Sequence, residues 1–161
     1  INATVMATVA GLSKDCECII NYGTAGTFNH KLVDRLHRIG TVKQRDMDTR
    51  PQAPLGVTPF DETKFGGDLQ IYKGSKFTLS TGDTFLKEKP EIESDFVDME
   101  GYAIAKVAGM FNKPCIMLKY ASDLADEKAS EEWQNNQAKG KDMFLKWLSD
   151  MEKNIQELKD E

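Results

Sequence analysis

Histidine is almost missing from this sequence. His30 and His37 are the only two, and the three cysteines, Cys16, Cys18 and Cys115, are odd in number with no C-x-x-C spacing. That supply argues against a structural zinc site and against a disulfide framework, and makes a reducing cytoplasm the expected compartment. Positive charge is not in excess either: 21 Lys and Arg face 26 Asp and Glu, a formal net charge of −5. A general nucleic-acid binder would need a basic face, so no nucleic-acid partner is expected. No apolar run approaches the roughly 20 residues that span a bilayer, and no membrane partner is expected. The first residues show no charged-then-apolar leader, so nothing points to secretion. Repeats, low-complexity stretches and the Walker and dinucleotide fingerprints are all missing. What is present is a hydrophobic fraction of 40% with 9% aromatics, too much for a disordered chain. At 161 residues, one domain over 1–161 can bury a core without cross-links.

Hydrophobic periodicity outlines the elements. Asn2 to Ser13 carries apolar residues at helical spacing, with Asn2 as the expected N-cap. Cys18 to Tyr22 reads as a buried strand, followed by a small-residue loop Gly23-Thr24-Ala25-Gly26-Thr27. A strand over Arg38 to Arg45 leads into a long Pro- and Gly-rich excursion, the kind of loop that is usually functional or mobile. Strands are expected at Phe77 to Thr81, Asp95 to Met99 and Cys115 to Tyr120, and a helix over Glu100 to Phe111. From Ser130 the chain reads as helix, with Phe144, Leu148, Met151, Ile155 and Leu158 stepping by four and three and Gly140 as a break. Strands alternating with helices indicate an α/β domain. Small or polar clusters follow three of the strands, at Gly23–Gly26, Gly82–Asp83 and Ser122–Asp123. Ligands of open α/β sheets sit beyond strand carboxyl ends, so these clusters are expected to converge.

Taken one at a time, these residues keep two meanings. Asp123, after a buried strand, either shares a proton with a ring nitrogen of a bound base or caps the next segment. Glu100, at a helix start, either complements the helix dipole or accepts hydrogen bonds from vicinal sugar hydroxyls. The Gly23–Gly26 segment is either a plain turn or a place where backbone amides approach a ligand. His30 and His37 read as surface residues, the cysteines as core or near-core thiols, and Trp133, Phe144 and Trp147 as core packing.

Order makes the signal specific. Asn21-Tyr22-Gly23-Thr24-Ala25-Gly26, Ser80-Thr81-Gly82-Asp83, Val97-Asp98-Met99-Glu100-Gly101-Tyr102-Ala103-Ile104-Ala105 and Lys119-Tyr120-Ala121-Ser122-Asp123 follow one another along the chain. Together they resemble the nucleoside phosphorylase and nucleosidase superfamily, with the nearest likeness to 5′-methylthioadenosine/S-adenosylhomocysteine nucleosidases, plant-type members included. The likeness runs from Ile1 to about Trp147.

The resemblance implies a nucleoside phosphorylase-like α/β fold, a single-domain mixed sheet flanked by helices. It implies that Asp123 contacts N7 of a purine, with Ser122 orienting it or bonding near the base. Glu100 would hold the ribose hydroxyls and Met99 would pack under the sugar. Thr24, Ala25 and Gly26 would lie near the sugar and the nucleophile, Phe85 would stack on the base, and the Leu86 backbone would read its edge. Lys119 stands where bacterial nucleosidases often carry Arg and plant-type members Lys, and is expected among the substrate-binding residues. No cofactor is implied, and a homo-oligomer, a dimer or larger, is. The family's opening strand carries a carboxylate that activates water; this sequence is expected to begin past that strand, either because the chain is cut before Ile1 or because it is a naturally short member, and in the second case Glu100, Asp46 or Asp48 would substitute. Phe28, Leu55, Val57 and Phe60 are candidates to surround a 5′ substituent. The expected activity is hydrolysis of a purine nucleoside, 5′-methylthioadenosine or S-adenosylhomocysteine foremost. The alternatives are a phosphate-dependent phosphorylase, disfavoured by the lack of arginines around Gly23–Gly26 unless Arg35, Arg38, Arg45 or Arg50 folds inward, and a purine-binding relic without turnover.

Overall fold

A computed structural model describes residues 1–61 and 63–160, with residues 153–160 described by backbone alone. Among the described residues the order is α1 (Asn2–Leu12), β1 (Ile19–Thr27), β2 (Leu36–Arg38), β3 (Thr41–Gln44), β4 (Leu69–Gln70), β5 (Thr78–Thr81), β6 (Phe96–Asp98), α2 (Gly101–Met110), β7 (Cys115–Leu124), α3 (Ala129–Asn136) and α4 (Lys141–Asp160). The strands form one mixed sheet in the order β2-β7-β1-β6-β5-β3-β4. β1 runs parallel to β7, and β5 parallel to β3 and β6; β6 is antiparallel to β1.

The strand expected over Arg38 to Arg45 is two strands. β2 pairs with β7 near one end of the sheet and β3 with β5 near the other, and only Ile39 and Gly40 separate them. The sheet therefore curls until its two sides are joined by two residues, as in a partly closed barrel. Gly40 fits the crossing because a Cβ there would collide with the Ser75 carbonyl oxygen. Ile39, fully buried, reaches the interior with Val42, Leu79, Phe96 and Met117.

α2 buries Tyr102 and Ala105 against this interior and turns Ile104, Val107 and Ala108 toward α1, where they meet Ala7 and Ile19. Its periodic apolar sequence has two faces to cover, which is why it reads as hydrophobic nearly all round. α1 starts with Ile1, not Asn2, at its N-cap and makes no side-chain cap bond. Along α1, Val5, Met6, Val9 and Leu12 are exposed. α4 lays Phe144 over Tyr22, ring centroids 4.3 Å apart and nearly parallel. The expected break at Gly140 is observed between α3 and α4; Gly140 lies against the Tyr120 ring with no room for a Cβ. The side chains of Ile155 and Leu158 lie outside the described residues.

Two further expectations change. His37 is buried, not on the surface: Nε2 lies 2.8 Å from the Leu32 carbonyl and the ring packs on Phe77 and Phe96. Burial pushes its pKa below the usual histidine value. The segment Gly23–Thr27 is no loop, because β1 continues through it alongside β7. Among the described residues, no helix is long and apolar enough to cross a membrane.

Candidate active site

The ends of four strands and the start of α2 surround a cavity of about 320 Å³, within the range of small-molecule sites. Thr24, Ala25 and Gly26 of β1 form one wall. Phe85 and Leu86, following β5, form another; Met99 and Glu100 follow β6, and Asp123 comes from β7. The Gly23–Gly26 and Ser122–Asp123 clusters reach the cavity through Thr24, Ala25, Gly26 and Asp123, whereas at Gly82–Asp83 it is the following residues, Thr84 to Leu86, that line it. Phe85 and Met99 are 46% and 40% exposed, so they face open space at the rim, whereas Asp123 is 2% exposed.

Asp123 is aimed by an irregularity in the sheet. The β1–β7 register pairs Ala25 with Ala121 and then Gly26 with Asp123, so Ser122 is an extra residue on β7. Such a bulge re-aims the residue beside it, and bulges recur next to active sites. Gly26 makes room: a Cβ there would stand 2.9 Å from Asp123 Oδ2. Ser122 Oγ donates to Asp123 Oδ1 at 2.6 Å. Burial, aided by the charges of Glu132 and Asp126, pushes the Asp123 carboxyl up to about 6, against the pull of the Ser122 hydrogen bond. A carboxyl poised there holds or gives a proton near neutral pH.

Glu100 is free for a different reason. The first amides of α2 are capped from elsewhere: Gly101 N donates to Asp98 Oδ2 at 2.8 Å and Tyr102 N to Thr81 Oγ1 at 2.8 Å. Glu100 occupies the N-cap position but makes no side-chain cap bond. The helix start is satisfied without it, and its exposed carboxylate stands at the cavity.

Asp98 anchors this turn. Its Oδ1 accepts from Thr81 Oγ1 at 2.5 Å, and its Oδ2 is 2.9 Å from Lys119 Nζ. Lys119 is thus bound into a buried ion pair behind the cavity and is not among its lining residues. Ser122 also stands behind the lining, acting on Asp123. Phe28, Leu55, Val57 and Phe60 do not line the cavity either.

Three site residues escaped the sequence reading. Arg45, weighed only as a phosphate clamp, is buried at the cavity and donates to four backbone carbonyls: Ser80 at 2.7 Å, Asp98 at 2.8 Å, Gly82 at 3.2 Å and Thr84 at 2.6 Å. It ties the segment carrying Phe85 to the one carrying Met99 and Glu100. Trp133, expected in the core, lines the cavity, and its Nε1 donates to Thr24 Oγ1 at 3.0 Å. Asp98 was visible only as part of the Asp-Met-Glu-Gly segment.

A curled mixed sheet with this cavity at its strand ends is the nucleoside phosphorylase-like arrangement. The structure superimposes on the 5′-methylthioadenosine/S-adenosylhomocysteine nucleosidase of Helicobacter pylori, solved with butyl-thio-DADMe-Immucillin-A, with a TM-score of 0.83 at 24% identity, covering 94% of this chain and 75% of that one. The futalosine hydrolase of the same species gives a TM-score of 0.80 at 24% identity, over 92% and 74% of the two chains. The profile of the phosphorylase superfamily matches residues 72–157, more than half of the sequence. The chain belongs to the phosphorylase superfamily. In sequence it is 27% identical to the 5′-methylthioadenosine/S-adenosylhomocysteine nucleosidase of Bacillus licheniformis, over 80% of this chain and 66% of that protein. It is 29% identical to the aminodeoxyfutalosine nucleosidase of Campylobacter jejuni, over 86% and 71%. The chain thus spans about two thirds of the length of the curated relatives it matches.

Proposed function

We propose that this chain carries the base-releasing machinery of a nucleosidase, an enzyme that hydrolyses the N-glycosidic bond of a purine nucleoside, with 5′-methylthioadenosine or S-adenosylhomocysteine as substrate and adenine as product. The observation that carries this reading is Asp123, a buried carboxyl with a pKa raised to about 6 in the same cavity as a free Glu100. The protonated Asp123 gives its proton to N7 of the purine. The bond between C1′ and N9 then breaks, and its electron pair leaves with the base. Water bonds to C1′ and releases a proton that restores the acid. Glu100 accepts from the ribose hydroxyls, Met99 packs under the sugar, and Phe85 covers the base. General acid help to a leaving group is commonly worth about 10²–10⁴-fold.

Arg45 favours water over phosphate as the attacking group. It is the arginine at the cavity, and both its amino groups are spent on carbonyls. Arg50 is paired with Asp48 and Glu91, and Arg38 lies over the Tyr72 ring. Asp46 accepts from the Asp83 amide, and neither Asp46 nor Asp48 lines the cavity. Among the described residues, Glu100 is then a carboxylate at the cavity able to position a water. A homo-oligomer and a cytoplasmic setting belong to the same reading; the exposed α1 row of Val5, Met6, Val9 and Leu12 and the free thiols of Cys16, Cys18 and Cys115 support them.

The test is adenine release from 5′-methylthioadenosine, S-adenosylhomocysteine and aminodeoxyfutalosine, followed by chromatography with and without phosphate. Release without phosphate is expected. Release only with phosphate makes the protein a phosphorylase. Binding of adenine without release from any substrate refutes catalysis by this chain.

A further inference from the structure

We propose that Glu132, held by its bond to the amide that follows Asp123, is a positioning residue on α3 whose negative charge favours the acid form of that carboxyl. This assignment rests on the reading of Asp123 as the acid that protonates the purine. The geometry is a clasp. Leu124 N donates to Glu132 Oε2 at 3.0 Å, and Asn136 Nδ2 donates to the Ser122 carbonyl at 2.8 Å. Glu132 and Asn136 stand one helical turn apart and so share a face of α3. Between them they hold the carbonyl before Asp123 and the amide after it. Trp133, next to Glu132, adds the bond to Thr24 across the cavity wall. α3 buries only Ala129 completely. Side-chain hydrogen bonds therefore contribute more to its seating on the sheet than an apolar stripe does.

The choice of glutamate is what needs explaining. A glutamine would accept the same hydrogen bond from Leu124. A carboxylate accepts that bond more strongly and suits the first turn of α3, and it also sets a negative charge near Asp123. A like charge held at the next peptide group disfavours ionisation of Asp123. The other groups facing Asp123 leave this role open. On its own strand Ser122 donates to it, and Asp126 beyond β7 adds a second negative charge. β1 offers Gly26, which has no side chain. Across the cavity Asp98 and Arg45 are engaged with Lys119 and with backbone carbonyls, and Glu100 is exposed.

The test titrates the Asp123 carboxyl directly by carbon-13 NMR of the whole chain, with Asp123→Asn to assign the signal. In Glu132→Gln the Asp123 midpoint is expected to fall by about 0.5 unit or more, and the alkaline limb of kcat/KM to move down by the same amount. On that limb this is about a threefold loss at fixed pH. Glu132→Asp keeps the charge and is expected to keep the raised midpoint; Asn136→Ala loosens the clasp but leaves the charge in place, and is expected to leave the midpoint unchanged. An unchanged midpoint in a folded Glu132→Gln variant overturns the proposal, since a structural clasp alone would leave it so. A wild-type midpoint near the ordinary aspartate value overturns it without any variant. If wild type releases no adenine from any nucleoside, the functional reading fails while the NMR titration still decides the role of Glu132.

Discussion

Replacing Asp123 with Asn separates two consequences of one buried carboxyl. Asn has nearly the same shape, accepts the Ser122 hydrogen bond at 2.6 Å and fits beside Gly26. Its amide can donate a hydrogen bond to N7 but cannot transfer a proton. Turnover is therefore expected to fall by about 10²–10⁴-fold with adenine binding retained. Stability should move the other way. The folded carboxyl titrates at about 6 and the unfolded one at 3.8. Below about pH 3.8 both states are protonated and Asp123 costs nothing. Between 3.8 and 6 the unfolded chain ionises first, so stability is lost as pH rises, and above 6 the loss is complete. A shift of about two units sets an upper bound of about 3 kcal/mol, and solvent relaxation around the cavity reduces this to about 1–2 kcal/mol. Asp123→Asn removes that cost. Its Tm should exceed wild type by about 3–6 °C at pH 7.5 and match it near pH 4. The assays are adenine release by chromatography and thermal unfolding at the two pH values. Undiminished turnover would remove Asp123 from the chemistry. A Tm gain equal at both pH values would show that ionisation of Asp123 is not the source of the cost.

The remaining predictions concern the residues around it. Glu100→Gln should raise KM for a ribonucleoside by about tenfold, the worth of a charged hydrogen bond. It should raise KM for the 2′,3′-dideoxy analogue much less, and equal effects on both would deny Glu100 its contact with the hydroxyls. Arg45→Lys cannot serve four carbonyls at once. It is expected to cost about 2–4 kcal/mol in urea unfolding and to raise KM more than it lowers kcat, because the Phe85 segment loosens. Lys119→Met leaves Asp98 buried without its cation and should destabilise by about 3–5 kcal/mol; a loss under 1 kcal/mol would mean the pair is dispensable.

Local chemistry was enough to place much of this protein. The helical spacing of Tyr102, Ile104, Val107 and Ala108 marked α2, because a buried helix must repeat its apolar residues every three or four positions. Gly140 marked the break before α4, the small or polar clusters after the strands pointed to Thr24 and Asp123, and the family resemblance added Glu100, Met99 and Phe85; all five line one cavity. Only tertiary structure decided the rest. The Gly23–Thr27 segment is strand because β7 lies beside it, a pairing nearly a hundred residues distant that no local propensity encodes. The split at Ile39–Gly40 follows from the curl of the sheet, where one run of chain serves both of its sides. Asp123 points to the cavity because of an extra residue in β7, and its carboxyl titrates near 6 because the fold withdraws it from water beside Glu132. The sequence places Arg45 at a strand end and Lys119 within a strand, but does not show what either side chain pairs with. Burial turned one into a tie between backbone carbonyls and the other into the partner of Asp98, and burial is a property of the assembled chain.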